Sequence, residues 1–353
     1  MKLKHWIRII IFAGLSIGLI ALASFVMCVA YERDTVGMYG YYKEPDDSIS
    51  VALIGPSTIY TSFYSPLAYE KYGFTSFNLS TSDMMGASYK SAVQLAESNQ
   101  KPDLYVVETW GFTYKDQLEP VHLRRWIDAM KDSELRTQTI EELIPEEEWY
   151  HYKHPFIKYH SRWDDIGGCL KVFIDKLQQN RKGYSVTKNF YTYTDVNEYK
   201  EKKSKYKISE EGFKYLDIFL NYCKENGIEN ILFIRSPESI TYEMDESYYE
   251  MLDIIEEAGY DFLDMQAASS EIGMDLNHDF YNPGHLNIFG AQKYTDYLSK
   301  YIVEHYDINT DYAPEVVKEW DDCASYNKKI FERLERLTDK KTNESLYIQR
   351  DFY

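Results

Sequence analysis

The sequence predicts an α/β fold: a three-layer sandwich around a central, mostly parallel sheet of about five strands, preceded by one transmembrane helix. Three observations predict it. Short apolar runs rich in β-branched residues alternate with amphipathic helical stretches. The runs lack polar alternation, as strands buried on both faces require. One uncharged segment near the start is long enough to cross a bilayer.

That segment runs from Ile9 to Tyr31 without a charged residue. A helix over it is about 34 Å long, against a hydrocarbon core of roughly 30 Å. Lys2, Lys4 and Arg8 precede it, and Glu32 and Asp34 follow. The positive-inside rule then places the N-terminus in the cytoplasm and the rest outside the cell membrane. A cleaved signal peptide is the alternative, because Ala21-Leu22-Ala23 resembles a cleavage site. The apolar run continues through "SFVMCVAY", beyond the usual signal core, which favours an uncleaved anchor. "FVMC" around Cys28 lacks the small residues of a lipid-attachment site, and no later segment is long and apolar enough to make a second pass. Residues 1–31 are thus cytoplasmic flank and anchor. Residues 32–48, polar and rich in turn formers, read as a tether.

The β/α rhythm starts at "ISVALIG" (49–55), a buried strand that runs into Gly55-Pro56-Ser57-Thr58. "FTSFNL" (74–79) is the second strand. "MMGASYKSAVQLAESNQ" (84–100) is helical, with Ala87, Ala92 and Leu95 near one face. "DLYVVETW" (103–110) is the third strand. Residues 111–206 break the rhythm and read as an insertion over the sheet edge, helical in the latter half of "FIKYHSRWDDIGGCLKVFIDKL". The helix of 209–227 has Ser209 to cap it and Gly227 to end it. "IENILFIRSP" (228–237) is the fourth strand, "YYEMLDIIEEAG" a helix, and "YDFLDM" (260–265) the fifth strand. A last helix carries Ala291, Tyr294, Leu298 and Tyr301 on one stripe. These elements make one domain over 49–310, and 311–353 is a charged helical tail packed outside it.

The formal net charge of −18 excludes nucleic acid and anionic headgroups as natural partners. Beyond Cys28 only Cys169, Cys223 and Cys323 remain, so the chain is no disulfide-stapled scaffold. It must bury a real core, and a hydrophobic content of 44% allows one. The 34 tyrosines fit both sugar-stacking surfaces and plain compositional bias. Zinc spacings and phosphate-binding glycine loops are absent, so no metal or cofactor is expected. The sequons at Asn78 and Asn343 are of a kind common by chance.

In open parallel sheets, functional groups collect at the carboxyl ends of the strands. Ser57 follows the first strand and begins a helix, where unpaired amides and the dipole could hold an oxyanion. A plain helix cap at Ser57 or Thr58 is the alternative. His285, in the turn-rich "DFYNPGHLN" after strand five, belongs at the same edge and is the candidate base. Glu108, ending strand three, and Arg235-Ser236, ending strand four, lie at that edge by topology alone.

These blocks resemble the SGNH/GDSL hydrolase superfamily, in its membrane-anchored branch of teichoic-acid D-alanyl-transfer and polysaccharide O-acetylation proteins. "GPSTIYTSFYSPLAYEKYGFTSFNLSTS" is similar to the branch's first block, and "DFYNPGHLNIFGAQKYT" (279–295) to its last and most specific one. "YHSRW" (159–163) also looks like a segment of bacterial members, and the likeness covers most of 49–305. It implies a Ser57 acyl-enzyme with His285 as general base, moving an acyl group, acetyl or similar, onto extracellular polysaccharide or wall polymer. It also implies a membrane-bound O-acyltransferase as partner. A carbohydrate esterase, or a catalytically silent glycan-binding or assembly protein, are the alternatives. Two departures stand. Asn282 occupies the place of the usual aspartate three before the histidine, so either Asn282 orients His285 or Asp279 supplies the charge. The oxyanion blocks have no clear match, Gly86 being the candidate glycine. Arg162 and Trp163 are candidates for an acceptor pocket, or for an anchor of the insertion.

Overall fold

Five parallel strands form the sheet: Val51–Gly55 (β1), Ser76–Ser80 (β2), Leu104–Glu108 (β3), Ile231–Arg235 (β4) and Asp261–Asp264 (β5). Their order is β2-β1-β3-β4-β5, with every pairing parallel. The computed structural model describes residues 3–28, 33–177, 182–185, 206–239, 243–276 and 278–338. The end of the expected anchor (29–31), parts of the insertion, the Asn343 sequon and the last of the tail lie outside the described residues.

The first four strands are buried at every position. Their side chains divide by alternation, as a pleated strand requires. Val51, Leu53, Leu104, Val106, Leu232 and Ile234 enter one apolar cluster. Ala52, Ile54, Tyr105, Val107, Ile231 and Phe233 enter another. Burying a Val, Leu, Ile or Phe of this set contributes about 1.5–3 kcal/mol, which is why β1, β3 and β4 read as apolar runs; β2 instead alternates Ser76, Asn78 and Ser80 with Phe77 and Leu79 of the second cluster. β5 is an edge strand and partly exposed, consistent with its two aspartates.

Leu3–Cys28 (α1) is a single helix whose Leu3–Ala23 stretch is long and apolar enough to span a membrane and is not covered by the rest of the chain. The expected tether is different. Arg33–Tyr41 (α2) is helical, and Met38 and Tyr41 are fully buried in the core. This helix packs on β2, where the Tyr41 and Phe77 rings meet edge to face with centroids 5.3 Å apart. The polar composition of this stretch hid an apolar face of few residues.

Ser57–Tyr60 (α3) and Ser65–Tyr72 (α4) follow β1, the second ended by Gly73 at φ 81°. Tyr89–Glu97 (α5) precedes β3. The insertion holds Pro120–Ala129 (α6), Glu134–Leu143 (α7), Trp149–Lys153 (α8), Pro155–Tyr159 (α9) and Ile166–Leu177 (α10). Its return runs beside the sheet edge, where the Asn78 N–H of β2 donates to Lys182 O at 3.1 Å. Asn78 itself is fully buried and donates its amide to Phe63 O, so that sequon is closed to glycans in the folded chain.

Glu210–Glu225 (α11) starts on Ser209, whose hydroxyl accepts from Gly212 N, satisfying one orphan donor of the first turn. Glu246–Glu257 (α12) leads into β5, and Ser269–Ile272 (α13) follows it. A two-strand hairpin of Phe280–Asn282 (β6) and His285–Leu286 (β7) comes next, then Ile288–His305 (α14). The tail helix Pro314–Thr338 (α15) lies on α4 and buries Val316, Trp320, Cys323, Ile330 and Phe331. Many tyrosines are core rather than surface: Tyr41, Tyr64, Tyr89, Tyr105, Tyr248 and Tyr294 are all fully buried.

Candidate active site

The end of β1 explains the small turn. A Cβ on Gly55 would lie 2.7 Å from Glu108 Cβ of β3 and 2.8 Å from Ile59 of α3, so only glycine lets the two pass. Pro56 then occupies the N-cap position and Ser57 opens α3. That helix is a single turn, too short for the dipole expected of it. The amides of Ser57 and Thr58 still have no intrahelical acceptor, being its first two residues.

Ser57 and His285 meet. Ser57 Oγ lies 2.6 Å from His285 Nε2, across 228 residues of sequence. His285 Nδ1 lies 2.8 Å from Asn282 Oδ1. The hairpin sets this spacing: Asn282 and His285 are paired across β6 and β7, with Pro283-Gly284 as the two-residue turn. Ser239 N donates to Pro283 O at 2.9 Å and ties down the turn. Tyr281 stacks on the imidazole, with ring centroids 5.3 Å apart. Asn287 caps α14 through the N–H groups of Phe289 and Gly290, and its amide donates to Phe280 O. The histidine is thereby held between a hairpin and a helix start.

The Asn282 amide has a defined orientation. Gly284 N–H, a donor only, points at Oδ1 from 3.0 Å, so the oxygen and not the NH2 must face it. The same oxygen accepts from His285 Nδ1–H. This fixes the tautomer with a bare Nε2, the form that can take a proton from Ser57. Burial holds the imidazole down to about 4, and the Asp83 carboxylate opposes this by raising it. At neutral pH His285 is therefore an uncharged base.

Asp279 has another task. It is fully buried and accepts from Lys293 Nζ at 2.7 Å, from Asp275 N at 2.7 Å and from His278 Nδ1 at 2.9 Å. These bonds take up both carboxylate oxygens and staple the loop to α14, so the partner of His285 is Asn282 and the Asp279 alternative is set aside.

Gly86 begins a short 3-10 turn, Gly86–Ser88. An added Cβ would strike Phe112 at 2.3 Å, so packing alone accounts for this glycine. Arg162 and Trp163 do not line the site. Arg162 donates to Met27 O at the end of α1, and Trp163 is 69% exposed. They belong to the junction with the N-terminal helix.

Other residues surround the pair. Asp83, in the loop after β2 at φ 52°, accepts from Arg125 at 2.8 Å and from Tyr114 Oη at 3.3 Å. Tyr60 Oη and Ser82 Oγ lie 2.8 Å apart, tying that loop to α3. Thr58 Oγ1, Ser80 Oγ and Thr81 Oγ1, at this carboxyl end of β1 and β2, are buried without partners among the described residues. Glu108 accepts from the N–H groups of Trp110 and Ser236, and burial pushes it up to about 7. Glu238 accepts from Tyr206 Oη at 2.6 Å, lies beside the Gly284 turn, and is also pushed up to about 7 by burial. Arg235 is engaged with Asp264 through two nitrogens, at 3.0 and 2.8 Å. Sequence reading passed over Asp83 and Glu238. Position at the carboxyl edge was the available signal for both, whereas nothing in "HLRRW" singles out Arg125.

The sheet order places Ser57 after β1, where the chain switches direction between β2 and β3, the usual crevice of doubly wound sheets. No metal-binding group of His, Cys, Asp or Glu occurs among the described residues. Comparison with known protein families returns no matching family, and no curated protein is significantly similar to the chain.

Proposed function

We propose that this chain is a serine-dependent acyltransferase of SGNH type, working outside the cell membrane on extracellular polysaccharide or wall polymer. The single observation that carries the reading is the chain Ser57–His285–Asn282, at 2.6 and 2.8 Å. The two apolar clusters on opposite faces of the sheet support a three-layer α/β/α sandwich of that superfamily. Helix α1, with Lys4 and Arg8 in its first turns and Glu32 and Asp34 after its end, supports an anchor with the N-terminus in the cytoplasm. It would hold the site near where a membrane-bound O-acyltransferase delivers its acyl group.

In this mechanism Ser57 Oγ attacks the acyl carbon while its proton passes to His285 Nε2. The amides of Ser57 and Thr58 and the unpartnered Thr58, Ser80 and Thr81 hydroxyls are the local donors for the oxyanion. The tetrahedral centre collapses, and the leaving oxygen takes the proton from Nε2. An ester on Ser57 remains. A sugar hydroxyl then gives its proton to Nε2 and attacks the ester, and Ser57 is released with that proton. Asn282 keeps the tautomer without stabilising the imidazolium by charge. This lowers the ceiling on rate, and it is the observation behind a second reading, a binding protein with a silent site.

The test uses the full-length protein in detergent, 4-nitrophenyl acetate as donor and a chito-oligosaccharide as acceptor, with mass spectrometry of the sugar. Acetylated sugar, lost in Ser57→Ala, is the expected result. Free acetate alone would identify an esterase, and no turnover by folded protein would favour the silent reading.

A further inference from the structure

Arg162 and Trp163 mark a junction that the catalytic reading leaves unexplained. The end of α1 is not free of the domain. Val26 and Met27 are buried against Cys169 of α10, and Arg162 caps the Met27 carbonyl at 3.2 Å. The chain between α9 and α10 thus packs on the helix where it leaves its uncovered stretch. Counted from Ile9, the first residue after the basic Lys4 and Arg8, Met27 lies about 27 Å along the helix, at the outer edge of a hydrocarbon core of roughly 30 Å. The junction therefore sits where the outer leaflet meets its headgroups.

At that depth a row of large apolar side chains is exposed, among the exposed Asp164, Asp165 and Lys171. Ile166, Leu170 and Ile174 are 50%, 44% and 49% exposed. They recur every fourth residue along α10, so they form a single stripe. Trp163, 69% exposed, extends it one turn back. Cys169, beside the stripe on the flank turned toward α1, is fully buried. Such a stripe is costly in water and ordinary in the interfacial zone, where Trp is enriched.

We propose that the Trp163–Ile174 segment is an interfacial helix, seated in the outer leaflet of the bilayer that α1 spans. The stripe lies in lipid and α10 runs along the membrane surface. The occupant is lipid because the stripe continues the lipid-facing surface of α1 through direct packing. Attraction is apolar, not electrostatic: Asp164 and Asp165 flank the stripe, and the whole chain carries −18. A zwitterionic surface suffices. Because α10 packs on α2, and α2 on β2, this second foothold fixes the orientation of the sheet, and with it Ser57, relative to the membrane. The inference shares the anchor reading but not the catalytic one.

The full-length protein in phosphatidylcholine nanodiscs tests it, with lipid brominated near the headgroup end of the acyl chains. Emission of Trp163 is taken as the difference between the wild type and Trp163→Phe. Loss of most of that emission in brominated discs is expected. Partial recovery is expected when Ile166→Ser, Leu170→Ser and Ile174→Ser are combined. If the chain stays with the discs but Trp163 emits equally with and without bromine, the proposal is overturned while the anchor stands. The stripe would then be left for a protein partner. If the chain does not stay with the discs, the anchor reading falls and this proposal with it.

Discussion

Replacing Asn282 by aspartate puts a formal charge where the structure has a neutral carbonyl. His285 Nδ1 is 2.8 Å from that oxygen, and burial holds the imidazole down to about 4. An opposite charge at such range raises a histidine by about 1–3 pH units, or ~1.4–4 kcal/mol of imidazolium stabilisation. The aspartate still accepts from Gly284 N–H, so the hairpin survives the change. The assay is the rate at which a fluorophosphonate labels the protein, measured across pH by stopped flow. Wild type should lose labelling only as pH falls toward 4, where His285 becomes charged. In Asn282→Asp that limb should move to between about 5 and 7. The plateau should rise roughly tenfold or more, since the transition state carries much of the imidazolium charge. Amide-for-carboxylate exchange in a serine triad costs about 10⁴ when the tautomer is also wrong. Here the tautomer is already right, so the gain is expected to be smaller. An unmoved limb, or a lower plateau in folded protein, would refute the reasoning.

Asp279→Ala should cost at least about 2 kcal/mol in urea unfolding, because Lys293 and Asp275 N lose a buried charged acceptor. Its labelling limb should stay where it is in the wild type; a shifted limb would return Asp279 to the site. Gly55→Ala should lower stability by about 1–3 kcal/mol and slow labelling, since Glu108 or α3 must move; a thermal melt checks the first effect. Glu238 is raised from 4.5 to about 7, so ionising it opposes folding, and stability should fall as pH rises between those values. Glu238→Gln should remove on the order of 3 kcal/mol of that fall. His285 acts in the other direction: its lowered value makes stability fall as pH drops from 6.5 to 4, and His285→Gln should abolish that contribution.

β1, β3 and β4 were legible as short apolar runs, while the alternating Ser76-Phe77-Asn78-Leu79-Ser80 of β2 and the partly exposed β5 were legible from their place in the strand–helix rhythm. All five strands of the sheet were found, with ends displaced by at most three residues. The convergence of Ser57 and His285 was legible from topology, since parallel strands put both loops at one edge. The choice between Asn282 and Asp279 was not. It depends on which residue pairs with His285 across a two-residue hairpin, and on Lys293 taking the Asp279 carboxylate from the next helix. Of the two readings of Arg162 and Trp163, the structure favours an anchoring role, since Arg162 donates to Met27 O, 135 residues earlier, and Trp163 is exposed; a long-range contact of this kind leaves no local sequence signal. The tether failed because α2 buries only a few side chains, with Met38 and Tyr41 set among polar and glycine residues.

The central claim is that Ser57 is a nucleophile activated by His285, and mapping the fluorophosphonate adduct by peptide mass spectrometry reaches it most directly. The account predicts one adduct on Ser57 in the full-length protein at neutral pH, with no adduct in Ser57→Ala and slower formation in His285→Ala. An adduct elsewhere that persists in Ser57→Ala, or none at all on folded wild-type protein, would contradict it.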